Sequence, residues 1–368
     1  MGRKIAYLFA GLLTLAAAVT GVMIAMPGEP EKITRPDPSE AVEIAFVGDT
    51  LLGDYAEKTL KKKGYDAPFV NLRKHLKADY LIGNLEATIT TTAKPMSESK
   101  AYSYKQNPLV AGVYAKEGFN AFGLANNHSL DFGVEGLKDT VKYLSQAGIS
   151  QFGAGLNEDE ASKPLIIKKN GVTIGVIGCF DVNKSYRDKL NWYAEGDKPG
   201  VAPLSRKKLR RQIADLKSQV DVVVVYPHWG GNYRKLRKSQ RKYARRLVDA
   251  GADLVVGHGA HMPQRVEIID GKPVVYSVGN FIFGTPGRYK KFKMEKRGYG
   301  LIAKIGFSKQ GAYSIRLTPF ANNNLKVKYI PRVASKTSAR RLFKDILRKL
   351  GGNFTMDGVS AVIDLTKI

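Results

Sequence analysis

A short stretch near the start of the chain, VEIAFVGD at residues 42–49, shows the pattern from which the fold class is predicted. Its apolar and β-branched residues predict a strand buried on both faces, and the run ends in a glycine followed by a carboxylate. Six further apolar runs end in a similar polar or glycine-rich signature. They lie at residues 80–82, 119–124, 172–178, 221–226, 254–256 and 274–277. We therefore predict several buried strands with polar side chains at their ends.

Helical patterns lie between these runs. Residues 133–147 carry apolar side chains at spacings of three and four, and residues 205–216 and 238–250 repeat that pattern. The alternation of strands and helices predicts a layered α/β domain. In such folds ligands bind beyond the carboxyl ends of the strands, so we expect a functional site at this edge.

The composition excludes several classes of protein. The chain has 368 residues, of which 43% are hydrophobic, and this is enough for a sizeable core and rules out a disordered chain. The single cysteine, Cys179, rules out a disulfide framework and a zinc site built from several cysteines. With 59 Lys and Arg against 33 Asp and Glu, the formal net charge is +26, which predicts an anionic partner.

The first residues predict a membrane anchor. An uncharged run at residues 5–26 follows Arg3 and Lys4, so we expect it to span the membrane as a helix, with residues 1–4 in the cytoplasm. A removed signal peptide, cleaved near the alanines at residues 16–18, is the alternative. Residues 27–40 carry four prolines and predict a semi-rigid linker. We therefore expect a single-pass protein of the cell membrane whose main domain is extracellular.

The polar residues at the strand ends suggest a metal site. Four of the five histidines lie there, which the competing interpretation, polar residues that only mark loops, does not explain. A mixture of carboxylate, amide and imidazole ligands suits Mn, Fe or Zn, and a bridging carboxylate can hold two ions, so we expect one or two. The candidate ligands are Asp49, Glu86, Asn127, His228, His258 and His261.

His128 follows the candidate ligand Asn127 directly. That position would let its imidazole protonate a leaving oxygen, so we predict that His128 is a general acid. Divalent ions in such a site activate water and neutralise a phosphoryl oxygen. A metal-dependent hydrolase is therefore one open interpretation of the site.

Six motifs occur in one order along the chain: GD at 48–49, GNLE at 83–86, ANNH at 125–128, HWG at 228–230, GHGAH at 257–261 and SVGNF at 277–281. In order, spacing and strand context the series resembles the CapA-type poly-γ-glutamate capsule biosynthesis proteins. The resemblance implies a two-sheet α/β sandwich of the metallophosphoesterase type over residues 41–310, preceded by one N-terminal transmembrane helix. Residues 311–368 would form a C-terminal extension that packs on the domain.

The resemblance also implies a role for each candidate ligand. Glu86 would be the bridging carboxylate, and Asp49 and His261 would hold the first ion. The second ion would be held by Asn127, His228 and His258, with His128 as the acid.

Three features depart from the phosphoesterase pattern. Leu51 stands where the superfamily has a histidine two residues after the first Asp, and Asp54 is the nearby carboxylate that could take its place. The bridging acid is Glu86 instead of an Asp, and two residues separate His258 from His261 where one is usual. A site with one ion, or one without catalysis, therefore stays open.

A basic segment begins six residues after His228 and would lie near the rim of the site. It is either a surface for an anionic polymer or a solvated helix face. Poly-γ-glutamate, with one carboxylate per residue, or another anionic polymer would suit it, whereas an outward-facing body makes nucleic acid an unsuitable partner. The candidate polyanion-binding residues are Arg234, Lys235, Arg237, Lys238, Arg241, Lys242, Arg245 and Arg246.

Three functions stay open. The resemblance implies a membrane-anchored component of poly-γ-glutamate synthesis and export, which would hold or process the polymer beside integral-membrane synthetase subunits. The second hypothesis is an extracellular metal-dependent phosphoesterase that acts on wall or lipid phosphates. The third is a non-catalytic scaffold that binds polyanions through a degenerate site.

Overall fold

Two large β-sheets carry the fold, and helices lie against them. The computed structural model describes residues 33–285 and 298–368, and within them the predicted mixed α/β architecture with several sheets is confirmed. The strands are β1 Val42–Leu51, β2 Tyr80–Leu85, β3 Thr88–Ile89, β4 Lys105–Gln106, β5 Ala121–Gly123, β6 Ser150–Phe152, β7 Ala154–Gly155, β8 Leu165–Lys169, β9 Val172–Phe180, β10 Gly200–Val201, β11 Val222–His228, β12 Leu254–Val256, β13 Val266–Ile269, β14 Lys272–Val275, β15 Asn280–Phe283, β16 Tyr299–Ser308, β17 Gly311–Ala321, β18 Arg332–Val333, β19 Thr355–Asp357 and β20 Ser360–Asp364. The helices are α1 Glu57–Lys63, α2 Arg73–Leu76, α3 Val110–Lys116, α4 Gly133–Gln146, α5 Glu158–Ser162, α6 Lys184–Asp188, α7 Arg206–Lys217, α8 Lys238–Asp249, α9 Asn324–Val327 and α10 Lys336–Ile346.

The larger sheet has the strand order β19-β20-β17-β16-β1-β2-β5-β6, and β15 and β18 join it beside β1 and β17. The neighbours β1, β2, β5 and β6 run parallel to one another. Their carboxyl ends therefore meet at one edge, where the motifs after β1, β2 and β5 come together.

The smaller sheet has the strand order β13-β14-β12-β11-β9-β8. Its inner strands β9, β11, β12 and β14 also run parallel, and β8 and β13 close the two sides antiparallel. The motifs that follow β11 and β12 therefore lie at a common edge of this second sheet.

Alternating side chains pack the two sheets against each other. In β1, Ile44 and Phe46 belong to a buried cluster that includes Val176 of the smaller sheet, whereas Ala45 belongs to a cluster with Leu137 of α4. On the outer face of the smaller sheet, a third cluster joins β9, β11 and β12 to α7 and α8. The order of layers is therefore helices, sheet, sheet and helices.

The elements predicted from the sequence agree with this arrangement. Each apolar run interpreted as a strand overlaps a strand, and the patterns at residues 133–147, 205–216 and 238–250 form α4, α7 and α8. These predictions succeed because buried parallel strands need continuous apolar runs and surface helices need an apolar stripe.

Residues 311–368 are joined to the body more closely than the packed extension expected from the sequence. β17 pairs with β16 along its length and with β20 on its other side, and α10 contributes to the core between the sheets. This pairing satisfies the backbone groups of β16, which would otherwise form an open sheet edge.

The predicted anchor at residues 5–26, and residues 27–32 of the predicted linker, lie outside the described residues. Within residues 33–285 and 298–368, no helix combines the length and the apolar character that a membrane span needs.

Candidate metal centre

Asp49 lies at the centre of the site because the register of the larger sheet puts it there. In β1 it stands opposite Asn84 of β2 on one side and Asn280 of β15 on the other. The side-chain amide of Asn84 donates a hydrogen bond of 2.9 Å to Asp49 Oδ1, and the backbone N–H of Gly259 lies 3.1 and 3.2 Å from the two carboxylate oxygens. These donors orient a carboxylate that is completely buried.

His228 and His258 reach Asp49 from the smaller sheet. His228 is the last residue of β11, and it pairs with His258 in an isolated parallel bridge. Gly259 permits this approach, because a Cβ atom at that position would lie 2.8 Å from the ring of His228. Its φ of +89° also lies in the region that favours glycine. The edges of the two sheets therefore meet around Asp49.

Asp49, His228 and His258 form the first of two groups of donor atoms. From Asp49 Oδ1, Nδ1 of His258 is 3.4 Å away and Nδ1 of His228 is 4.0 Å away, and the two Nδ1 atoms are 3.1 Å apart. Two ligands that each lie about 2 Å from one ion are roughly 3–4 Å from each other. The spacing therefore fits one shared divalent ion.

Asp49, Glu86 and His261 form the second group, in which the donor atoms lie within 4.8 Å of one another. Asp49 Oδ2 is 3.1 Å from His261 Nδ1, and Glu86 Oε1 is 3.8 Å from His261 Nε2. Glu86 Oε1 is also 3.8 Å from Nε2 of His228 in the first group. Asp49 thus belongs to both groups, whereas the bridging role that the resemblance implies for Glu86 stays a prediction.

Glu86 gives the clearest sign that this cluster suits a cation. It is completely buried, and neither of its carboxylate oxygens accepts a hydrogen bond from any residue that the structure describes. Burial, and then the neighbouring charge of Asp49, raise the pKa of Glu86 well above its ordinary value. Since a buried carboxylate without a donor destabilises a fold, the residues present fit a bound divalent ion.

Burial also favours the neutral form of the imidazoles. It lowers the pKa of His228 well below its ordinary value, with a further contribution from His258, and it lowers the pKa of His258 as well. Burial acts to raise the pKa of Asp49, but hydrogen bonds with His258 and His261 outweigh it and hold that pKa below its ordinary value. Neutral imidazoles and an ionised carboxylate are the forms that bind metal.

His128 lies beside the donor groups and is held by two charged side chains. Its Nδ1 is 2.7 Å from Asp131 Oδ2 and 3.0 Å from Lys100 Nζ, and Lys100 is itself paired with Asp131. The ring of Tyr104 packs on the imidazole with the centroids 4.3 Å apart, and burial lowers the pKa of His128 to about 4. Nε2 of His128 is 4.0 Å from Glu86 Oε1, so its second nitrogen is next to the candidate metal ligands.

A cavity of about 260 Å³ opens beside the centre, and Asn127, His128 and His261 line it. Most of the remaining wall is aromatic. It is formed by Tyr55, Tyr102, Tyr104, Tyr186, Tyr233 and Phe283. A molecule bound in this cavity would therefore contact the predicted acid and two predicted ligands, Asn127 and His261, directly.

The structure brings five of the six predicted ligands together, and the sixth, Asn127, lines the neighbouring cavity. Asp54, the substitute that the sequence left open, is exposed and lines a different cavity with Glu57 and Lys105. The individual roles of the ligands stay predictions.

Sequence reasoning misses four residues that hold the site together. Asn84 contacts Asp49, and Asn280 Oδ1 lies 2.7 Å from Nδ1 of His261. Both asparagines stand inside motifs that the sequence singles out, and Asp131 follows His128 by three residues, so local signals for them exist. Lys100 lies in a segment without regular structure, where no pattern indicates a site.

The basic segment starts at the wall of this cavity, since Tyr233 lines it and Arg234 follows. Among the predicted polyanion-binding residues, Arg246 is half-buried and the other seven are exposed. Arg241 pairs with Glu267, and Arg245 pairs with Asp270 at 2.9 Å. Part of the positive charge is therefore neutralised, and polyanion binding stays a prediction.

Fold and site together define a mixed α/β protein with a candidate metal centre where the edges of two sheets meet. Residues 43–285 match the family described as "Bacterial capsule synthesis protein PGA_cap". The chain belongs to this family.

Similar proteins occur in several bacteria. The "PGA biosynthesis protein CapA" of Bacillus subtilis (strain 168) is 31% identical over 81% of this chain and 79% of that protein. The "Capsule biosynthesis protein CapA" of Bacillus anthracis is 30% identical over 67% of this chain and 60% of that protein. A "Probable polyglutamine synthesis accessory protein" of Mycobacterium tuberculosis is 33% identical over 60% of each chain.

The isolation of Glu86 leads to a stability prediction. In the presence of a chelator, Glu86→Gln is expected to stabilise the protein by about 1–3 kcal/mol, because the wild-type carboxyl must either stay charged without a donor or take up a proton on folding, and the amide does neither. Addition of Mn²⁺ or Zn²⁺ is expected to raise the melting temperature of the wild type more than that of the variant, which keeps only the group of Asp49, His228 and His258 intact. Thermal unfolding with and without metal measures both effects.

Glu267→Gln is the matched control, because Glu267 is also buried but pairs with Arg241 and Arg265. This variant is expected to be less stable than the wild type with or without metal. If Glu86→Gln is destabilised to a similar extent in chelator, Glu86 has a partner that offsets its charge and the interpretation is wrong.

Proposed function

We propose that this protein is a membrane-anchored component of poly-γ-glutamate capsule synthesis and export, whose extracellular domain holds one or two divalent ions and binds or processes the polymer. Family membership supports the capsule role, since the relatives from two Bacillus species are named for the biosynthesis of PGA or of capsule. The observation that carries the metal centre is Glu86, a buried carboxylate that no described residue hydrogen-bonds, beside Asp49 and His261.

The finer fold assignment, a sandwich of the metallophosphoesterase type, is part of this proposal. Two packed sheets with helices on their outer sides support it, as do donor residues that come from the ends of β1, β2, β11 and β12. Ligands from several strand ends are the arrangement expected when function lies at the carboxyl edge of parallel strands.

The chemistry follows from the positions of the side chains. Asp49, His228 and His258 would hold one ion, and Asp49, Glu86 and His261 would hold the other. Bound divalent ions would activate water and neutralise negative charge on a carbonyl or phosphoryl oxygen. His128 would protonate the leaving group in the cavity from its imidazolium form, which the charge of Asp131 favours and burial disfavours, while Asp131 and Lys100 orient its ring through Nδ1.

The membrane anchor in this proposal is supported by the amino-acid sequence. Residues 5–26 cross the membrane, residues 1–4 lie in the cytoplasm, and the body lies outside the cell beside integral-membrane synthetase subunits. The net charge of +26 supports an anionic polymer as the partner of this body.

Deletion of the gene in its host tests the proposed function. We expect cell-associated and released poly-γ-glutamate to fall to background, and the full-length chain supplied from a plasmid to restore both. Undiminished polymer in the deletion strain would reject the capsule role, whatever metal the protein binds.

An extracellular metal-dependent phosphoesterase acting on wall or lipid phosphates is the second candidate. It is favoured by two donor groups that share Asp49, with the imidazole of His128 next to them. Hydrolysis of a phosphodiester by the purified full-length protein with added Mn²⁺, without cleavage of poly-γ-glutamate, would favour this candidate. If the protein carries no near-stoichiometric Mn, Fe or Zn and has neither activity, the non-catalytic polyanion-binding scaffold replaces both.

A further inference from the structure

Two neighbouring helices place an unusual amount of positive charge at the edge that carries the metal centre. Residues 206–211, at the start of α7, contain five basic residues and no acidic one, and residues 234–246, which lead into α8, contain eight and none. The helices contact each other on the outer face of the smaller sheet. We call the exposed Lys and Arg side chains of these two segments the α7–α8 basic surface.

The topology brings the first turns of both helices to the same edge. α7 begins beside the carboxyl end of β9, because Leu204 N–H donates to the carbonyl of Phe180 at 2.7 Å. The segment before α8 is tied to the metal centre, because Tyr233 N–H donates to the carbonyl of Ala260 at 2.9 Å. His228 ends the strand that lies between β9 and β12 in the sheet. The basic surface therefore adjoins the edge at which the candidate metal ligands converge.

The basic side chains lie in the first turns of α7 and α8, where positive charge destabilises a helix. The amino-terminal end of a helix carries partial positive charge and favours acidic side chains, yet neither α7 nor α8 has an acidic residue in its first turn. α7 begins instead with Arg206, Lys207 and Lys208. The basic side chains and the amino-terminal ends of the helices therefore contribute to the same positive electrostatic field. Basic residues at positions that favour acidic ones do not stabilise the helices, and such exceptions are typical of functional surfaces.

Intramolecular partners neutralise only part of this charge. Lys208 pairs with Glu158 and Arg211 with Asp215, and two bases of α8 pair with carboxylates as described above. Six exposed bases form no ion pair with any residue in the described part of the chain. They are Arg206, Lys207, Arg210, Lys235, Lys238 and Lys242.

The composition of the surface favours a polymer over a membrane. A helix that lies on a bilayer buries large apolar side chains beside its basic ones. The exposed large apolar residues of the described chain include none from α7 or α8. A surface of exposed bases without exposed large apolar side chains suits an extended chain with repeating carboxylates, whose charges can pair with the bases one after another.

We infer that the α7–α8 basic surface binds an anionic polycarboxylate chain over both helices and leads it to the metal centre. This inference rests on the proposed function. It adds the bases of α7 to the surface along which the polymer would reach the metal centre, which we call the polymer path. Because the bases of the two helices act together on one chain, removal of either set weakens binding, and affinity rises with polymer length until the chain reaches both helices.

Binding of purified poly-γ-glutamate to the full-length protein, measured by fluorescence anisotropy at several NaCl concentrations, tests the inference. The α7 variant Arg206→Gln/Lys207→Gln/Arg210→Gln and the α8 variant Lys235→Gln/Lys238→Gln/Lys242→Gln each remove three charges. We expect each to raise Kd at least about tenfold at low salt and to reduce the salt dependence of binding. The control Arg340→Gln/Lys344→Gln/Arg348→Gln removes the same charge from exposed positions at α10 and just beyond it, and its Kd is expected to change less than about twofold.

Three results would overturn the inference. An α7 variant with the affinity of the wild type would remove α7 from the polymer path, and an equal loss in the control would mean that net charge alone governs binding. If the α7 and α8 variants lose binding to vesicles with anionic lipids but still bind poly-γ-glutamate, the surface is a membrane contact. Polymer production in the deletion strain tests the proposed function separately. A failure of the proposed function can therefore be distinguished from a failure of the inference about the α7–α8 basic surface.

Discussion

Asp49→Ala is expected to remove metal from both positions of the centre and to abolish polymer output. Asp49 is the residue that the two donor groups share, so its loss leaves each group with two ligands. Loss of a residue that only supports a ligand already weakens metal binding about 10–100-fold, so loss of a shared ligand is expected to cost more than about 100-fold. Metal content of the purified full-length protein and poly-γ-glutamate from the complemented deletion strain measure the result.

Two comparisons make this prediction specific. Asp54→Asn removes an exposed carboxylate close by in the chain and is expected to leave metal content unchanged. His261→Ala touches only the second group and is expected to leave one ion bound at Asp49, His228 and His258. If Asp49→Ala retains one ion while Glu86→Gln loses both, Glu86 is the bridging carboxylate and the sharing inferred from Asp49 is wrong.

His128→Ala is expected to abolish turnover while metal content stays at the level of the wild type. His128 is in neither donor group, and its Nε2 lies 4.0 Å from Glu86 Oε1, at the side of the cavity. Loss of a general acid typically lowers the rate about 10²–10⁴-fold. Polymer processing or phosphodiester cleavage by the full-length protein, together with metal analysis of the same sample, separates the two effects.

His75→Ala is the control for loss of an imidazole, since His75 lies on α2, apart from both donor groups. It is expected to keep both metal and turnover. Loss of metal in His128→Ala would reassign His128 as a ligand, and unchanged turnover would remove it from the chemistry. Asp131→Asn should lower turnover less than His128→Ala, because it disturbs the orientation of the ring and leaves the imidazole in place.

Local sequence predicts much of the fold and most of the candidate ligands. Continuous apolar runs indicate strands buried on both faces, and the residues that end those runs include Asp49, Glu86 and His228. Since parallel strands present their carboxyl ends at one edge, the sequence alone predicts that the candidate ligands converge. The C-terminal strands were harder to predict, because β17 gains its place only by pairing with β16.

The contacts within the centre depend on distances between segments far apart in the chain. The sequence does not indicate that Lys100 is buried against Asp131 and His128, because the segment around it has no periodic pattern. It also does not indicate that Arg241 is neutralised by Glu267 while Lys242 stays unpaired within the described residues. Such pairings depend on which elements become neighbours.

Residue types and their order along the chain are enough to identify this protein as a layered α/β chain of the capsule synthesis family, with carboxylates and histidines at its strand ends and a large excess of positive charge. Three features arise only in the folded chain. Asp49 is common to both donor groups, Glu86 is buried without a hydrogen-bond donor among the described residues, and the bases of α7 and α8 adjoin one edge. The physical reason is that side-chain type and periodicity are local properties, whereas burial, partner choice and shared ligands arise when two sheets pack against each other.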